Sequence, residues 1–158
     1  MAEQEQAPDR HLAISKIYIK DFSFESPQTP LVFKSGEWKP QTNLNLRSAH
    51  TAVEENIHEV VLTITVEAKE DDKTLFLIEL QQAGLFEITG YSEEELAPII
   101  GGFCPSILFP YAREAIAATV QKGGFPEFVL QPINFDALYM QTQQKQQAAA
   151  ENVPAETH

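Results

Sequence analysis

The strongest constraint on the fold is a pair of strand patterns, 57–68 and 74–88, joined by Glu70-Asp71-Asp72-Lys73. In the first, Val60, Leu62, Ile64, Val66 and Ala68 share one face, while Glu59, Thr63, Thr65 and Glu67 take most of the other. That period of two belongs to a strand buried on one side. The charged tetrapeptide reads as a hairpin turn. The second strand differs: Leu75, Leu77, Glu79 and Gln81 lie on one side, and Phe76, Ile78, Leu80 and Gln82 on the other. A strand apolar on both faces must be covered on both, so one face of an antiparallel sheet is expected to serve an interface.

Upstream, 1–11 is polar and reads as a disordered leader. Residues 12–25 alternate, with Tyr18, Phe22 and Phe24 on one face beside Lys20, and Ile17, Ile19, Asp21, Ser23 and Glu25 on the other. The aromatic side is expected to face the core, leaving Asp21 and Glu25 outward. Ser26-Pro27 and Thr29-Pro30 end this strand, and 31–40 forms a long connection holding Phe33 and Trp38. A tryptophan there serves as a lid over the core or lines a groove. Leu44 and Leu46 alternate with Asn43, Asn45 and Arg47, which predicts a second, short strand.

The segment 99–114, IIGGFCPSILFPYARE, is apolar and carries charge only at Arg113 and Glu114. Gly101-Gly102 permits a chain reversal. Pro105 suits the first turn of a helix, and Pro110 then falls within it and predicts a kink. This main helix is expected over 105–122, stopped by Gly123-Gly124. Ahead of it, Ser92-Glu93-Glu94-Glu95 is a capping box opening a short helix that Pro98 should distort. A last helix is expected over 134–147, followed by a disordered acidic tail, 148–158. Strands followed by helices make this an α+β chain, with a single domain at 12–147 and the helices on one sheet face.

The chain carries 11 Lys+Arg against 23 Asp+Glu, a net of -12. Setting aside 1–11 and 141–158, with five acids and two bases, leaves 18 acids and 9 bases in the body. An acidic body argues against nucleic acid and anionic membranes as partners. The bland reading is solubility; the functional one is a basic partner. A single cysteine, Cys104, excludes an internal disulfide framework and reads as a small buried hydrophobe. No histidine or cysteine spacing suggests a metal site, no glycine-rich phosphate loop is present, and no nucleophile elbow occurs. No enzyme activity, cofactor or metal is therefore expected; His58 and Cys104 are the best candidates an enzyme reading could offer. The polar N-terminus and the lack of ~18 consecutive apolar residues predict a soluble, cytoplasmic protein.

Five segments, IYIKDFSFESP (17–27), HEVVLTITVEA (58–68), FLIELQQAGLFEITG (76–90), GGFCPSILFPYARE (101–114) and INFDALYMQ (133–141), together resemble the SecB protein-export chaperone family. The resemblance covers about 17–147, and CPSILFPYARE is its most specific block. Ala83 departs from the family's usual QQGG glycine, and the 33–38 connection looks one residue longer. The resemblance implies a four-stranded antiparallel sheet backed by helices, assembled as a homotetramer that is a dimer of dimers. It implies ATP-independent holding of unfolded preproteins and their delivery to SecA, the translocase motor. It also places the docking of SecA's basic tail on Asp21, Glu25, Leu77 and Glu79, and oligomer-sensitive positions at Ile78, Leu80 and Gln82. Trp38, Phe76, Phe103, Tyr111 and Phe135 are the candidates for the client groove.

Two outward acids on a strand ordinarily mean only a solvated face. Glu79 on a neighbouring element and the body charge bring a docking surface in as the functional reading beside it. The alternative from a different class is an acidic adaptor that binds one folded basic partner.

Overall fold

The structure is a computed structural model and describes residues 9–34 and 36–151. Four strands, β1 (His11–Glu25), β2 (Gln41–Glu54), β3 (Ile57–Glu70) and β4 (Lys73–Thr89), form one antiparallel sheet in the order β1-β4-β3-β2. Consecutive hairpins join β2, β3 and β4, and β1 returns to pair with β4, a Greek-key arrangement. Asp71 and Asp72 close the β3–β4 hairpin at φ 50° and 61°. Two successive left-handed residues match the twist of the strands they join, and aspartate tolerates that region.

Two sequence expectations about the strands need correction. β2 is not short: it pairs with β3 from Gln41 opposite Lys69 to Glu54 opposite Ile57. Only Leu46 along it is even half-buried, so most of the strand carries no burial pattern to read. β1 in turn does not keep one alternation. Its register against β4 slips between Ile14 and Lys16 and again between Ile19 and Asp21. An extra residue in a strand flips every following side chain to the other face. Ile17 and Ile19, opposite Gly84 and Gln82, therefore share the helix-side face with Phe22 and Phe24. Tyr18, opposite Ala83, lies on the outer face with Asp21, Ser23 and Glu25.

The helical half begins with α1 (Glu93–Pro98), passes through a π-helical turn at Ile99–Phe103 and continues as α2 (Cys104–Lys122). The capping box forms: Ser92 Oγ accepts from the Glu95 N–H at 3.2 Å, and the Glu95 carboxylate accepts from the Ser92 N–H at 3.1 Å. The distortion expected at Pro98 is the π turn that follows it. The chain reversal expected at Gly101-Gly102 does not occur, because both glycines lie inside the π turn and the helix runs on from Glu93–Lys122. They are required for a different reason. α3 (Phe135–Glu151) crosses here, and a Cβ on Gly101 would collide with the Tyr139 ring, while one on Gly102 would stand 2.5 Å from Asp136 Oδ1. α2 stops at Gly123, and Gly124 follows at φ 85°, where the Phe125 N–H reaches back to the Val120 carbonyl at 3.2 Å. Two terminal expectations are corrected: His11, within the expected leader 1–11, already opens β1, and the expected tail 148–158 is still helical as far as Glu151; residues 1–8 and 152–158 lie outside the described residues.

The i, i+4 row Cys104, Leu108, Ala112, Ile116 and Val120 is fully buried against Val60, Leu62, Ile64 and Val66 of β3 and Phe76, Ile78, Leu80 and Phe86 of β4. This single cluster fixes α2 across the sheet. Contrary to the expectation from consecutive apolar residues, Glu93–Lys122 is long and apolar enough to cross a membrane, with an 18-residue window of mean hydropathy 1.2. A third of that window is buried inside the fold, which accounts for the apolar row as core.

Candidate functional site

The bulge in β1 sets the first surface. Because the strand is in register from Asp21 onward, Asp21 lies opposite Gln81, Ser23 opposite Glu79 and Glu25 opposite Leu77. All four docking candidates, Asp21, Glu25, Leu77 and Glu79, thus share the outer face of two adjacent strands. Asp21, Glu25 and Glu79 are exposed and Leu77 is half-buried beside them. Among the described residues no basic group pairs with any of the three carboxylates. They form an uncompensated negative patch with an apolar residue at its edge.

Another acid on this face, Glu59, is compensated. Lys20 Nζ lies 2.7 Å from Glu59 Oε1, and the Tyr18 hydroxyl donates to Glu59 Oε2. The hydrogen bonds from Lys20 and then Tyr18 hold the Glu59 carboxyl below the usual range. Burial, followed by the Glu59 contact, pushes the Tyr18 hydroxyl up to about 12. This network ties β1 to β3 across β4, where Ala83, the position that departs from the family's glycine, is fully buried between Tyr18 and Val61 in the pairing ladder.

The groove candidates fall in three places. Trp38 and Phe76 both pack on Phe125, with ring centroids 5.3 and 5.2 Å away. Phe33 at 5.6 Å and Phe24 at 6.4 Å complete the ring around Phe125, and Phe128 lies 6.2 Å from Phe76. Phe33 is 51% exposed and Trp38 36%, so the assembly opens to solvent on its connection side. Phe135 belongs elsewhere: it is buried, packs on Phe109 at 5.4 Å, and lines a cleft of about 430 Å³ between β2 and α3 with Leu46, Ile100 and Tyr139. Phe103 and Tyr111 stand exposed on the outward side of the long helix. The five residues do not converge within one chain.

Sequence reasoning missed Phe125, the hub of the aromatic assembly. It lies in the connection after α2, where no periodicity announces burial; the only signal was Phe125 and Phe128 bracketing Pro126 just past a helix stop.

The three positions expected to be oligomer-sensitive are not a surface of the chain. Ile78 and Leu80 are fully buried on the helix side and Gln82 is 3% exposed, its side-chain amide donating to the Tyr18 carbonyl at 3.1 Å. Their partners in the pairing ladder are Phe24, Phe22 and Ile19 of β1. Cys104 is buried, and that burial pushes its thiol up to about 12. Among the described residues no group of three or more His, Cys, Asp or Glu could hold a metal ion.

Comparison with known proteins decides the family. The chain matches the family described as preprotein translocase subunit SecB over residues 3–146. A protein-export protein SecB of Nitrosococcus oceani is 53% identical over 146 residues, covering 92% of this chain and 89% of that protein. One from Methylococcus capsulatus is 49% identical over 158 residues, with both chains covered completely. The chain belongs to the SecB family. Among solved structures, the SecB-like chaperone Rv1957 of Mycobacterium tuberculosis, in complex with a ChAD peptide from the antitoxin HigA1, superimposes with a TM-score of 0.64. It covers 77% of this chain and 90% of its own at 16% identity, a likeness of fold. The four-stranded sheet with helices on one face is thus the SecB-type architecture.

Proposed function

We propose that this protein holds unfolded preproteins for export without nucleotide, in the cytoplasm, and hands them to SecA. The observation that carries the reading is the back-to-back arrangement of two chemically opposite surfaces on the same two strands. Phe24 and Phe76 point to the helix side and into the aromatic assembly around Phe125, while their chain neighbours Glu25 and Leu77 point outward into the unpaired acidic patch. An unfolded chain offers apolar side chains at irregular spacing, and rigid exposed aromatics suit it without sequence preference. Several weak apolar subsites along one flexible client add up through effective concentration. A basic tail is attracted by the carboxylate patch, which speeds encounter and weakens with salt.

Assembly as a dimer of dimers fits the apolar groups the chain leaves uncovered. Phe103 and Tyr111 on the long helix and Ile14 and Ile19 on edge strand β1 are all exposed. Covering them between subunits would bring the scattered aromatic sites into longer clefts. The peptide on the Rv1957 relative supports client binding in kind.

The test is aggregation of a denatured, reduced precursor followed by light scattering, with no nucleotide present. Suppression reaching completion near stoichiometric protein is expected, and it should hold for several unrelated precursors. A precursor that aggregates at the same rate with and without the protein refutes the function.

A further inference from the structure

We propose that His50 and His58 form a two-imidazole site for a divalent transition-metal ion of the Zn²⁺, Ni²⁺ and Cu²⁺ class, clamping the end of edge strand β2 to β3. The placement follows from the strand register. His50 lies opposite Val60 and Ala52 opposite His58, so the two histidines are diagonal neighbours on one face. Diagonal positions on adjacent strands bring long side chains into contact. Here the ring centroids are 5.0 Å apart with planes tilted by 32°, and His50 Nε2 faces His58 Nδ1 at 2.8 Å.

At that separation one facing nitrogen donates and the other accepts. Among the described residues no other hydrogen-bonding partner holds either ring: His50 Nδ1 and His58 Nε2, the distal nitrogens, are free to carry the N–H. The donor ring can therefore shift its proton to its distal nitrogen through water, and both facing lone pairs become available with each imidazole still neutral. An ion with bonds of ~2.0–2.1 Å sets two neighbouring ligand nitrogens about 2.9 Å apart at the right angles Ni²⁺ and Cu²⁺ prefer and about 3.3 Å apart at the tetrahedral angle of Zn²⁺. Parting the rings by at most about half an ångström from their hydrogen-bonded separation reaches both, which side-chain torsions supply. Neutral imidazole is the ligand these ions prefer.

The surroundings admit the ion. His50 lines the rim of the cleft between β2 and α3, whose polar edge includes Ser48, Thr142 and Gln143, and the remaining coordination positions face water. No carboxylate or cation among the described residues pairs with either ring, so nothing has to be displaced. The mechanical consequence is local: β2 and β3 are pinned beside the register slip at Ala52/Glu54, where the ladder ends.

The experiment is calorimetric titration of the untagged full chain with Ni²⁺ at pH 7.5, repeated for His50→Gln, His58→Gln and His11→Gln. Glutamine keeps a polar group at the sheet surface, and matching far-ultraviolet circular dichroism verifies the fold of each variant. One ion per chain is expected, with affinity at least about tenfold weaker in both His50→Gln and His58→Gln, since each removes one arm of the chelate. His11→Gln should bind as the parent does, and the parent should lose affinity at pH 5.5, where protons compete for the rings. No binding up to millimolar Ni²⁺, equal binding in all variants, or loss in only one of His50→Gln and His58→Gln would overturn the site.

Discussion

Gly101→Ala sets two known magnitudes against each other. Alanine in a helix interior is favoured over glycine by about 0.8–1.0 kcal/mol, so an unhindered helical Gly101 would gain stability on substitution. Gly101 is hindered. Its added Cβ would sit 2.6 Å from Tyr139 Cε2, closer still to Cδ2, and 3.3 Å from Cγ. Ordinary contact begins near 3.4 Å, so the ring or the helix α3 carrying it must give way along its whole edge. Overpacking of this kind costs about 1–3 kcal/mol. The net expectation is a loss of between ~0 and 2 kcal/mol. In a Tyr139→Ala background the obstruction is gone, and the same substitution should stabilise by ~1 kcal/mol. The double-mutant cycle therefore carries a coupling of about 1–3 kcal/mol. Urea unfolding followed by circular dichroism at one fixed protomer concentration measures all four proteins on a common basis. If Gly101→Ala stabilises the parent by the full helix-propensity increment, the glycines are not a crossing point for α3 and the packing account is refuted.

Charge reversal at Asp21, Glu25 or Glu79 should weaken SecA binding several-fold, more at low salt than at high, while suppression of precursor aggregation persists; equal loss of both activities would show that the two surfaces are not separate. Leu80→Phe should overpack the seam between β4 and Phe22 of β1 and shift the assembly to smaller species, and an unchanged mass by light scattering would count against relay through β1. Glu59 has a folded-state pKa below its unfolded value, so its contribution is present above the unfolded value of about 4.5 and is lost as pH falls through the folded one. Glu59→Gln should accordingly flatten the fall in stability below about pH 4.5, measured by urea midpoints from pH 6 to 3. Native Cys104 should react with an aromatic disulfide reagent at pH 8 only as fast as the protein opens, because its thiol is buried with a pKa of about 12; an immediate full reaction would contradict that burial.

The sequence disclosed β3 and β4 well because each is covered, and covered strands write their burial into alternate residues. β2 and β1 were harder for opposite reasons. β2 is an edge whose side chains meet mostly solvent, so hydrogen-bond register alone defines it. β1 has burial to read, but its slips at Ile14/Lys16 and Ile19/Asp21 break the alternation, and a pattern of two cannot detect an added residue. The placement of Tyr18 was lost for that reason, while Asp21 and Glu25, beyond the second slip, stood on the expected face. Gly101 and Gly102 show a related limit. Glycine marks either unusual φ or close approach, and only the position of Tyr139 and Asp136, more than thirty residues on, distinguishes them. The acidic patch was legible as residues and not as a cluster, because bringing Glu79 beside Ser23 requires the β1–β4 pairing that no local signal specifies.

That same pairing has a cost during synthesis. β1 leaves the ribosome first, yet among the described residues its ladder partner is the last strand made, with Glu25 waiting for Leu77 and His11 for Thr89. Until then its row of Phe22 and Phe24 has nothing to lie against, and the three-strand meander must form before the sheet can close. A protein of this family thus spends its own infancy as the kind of molecule it is built to shelter.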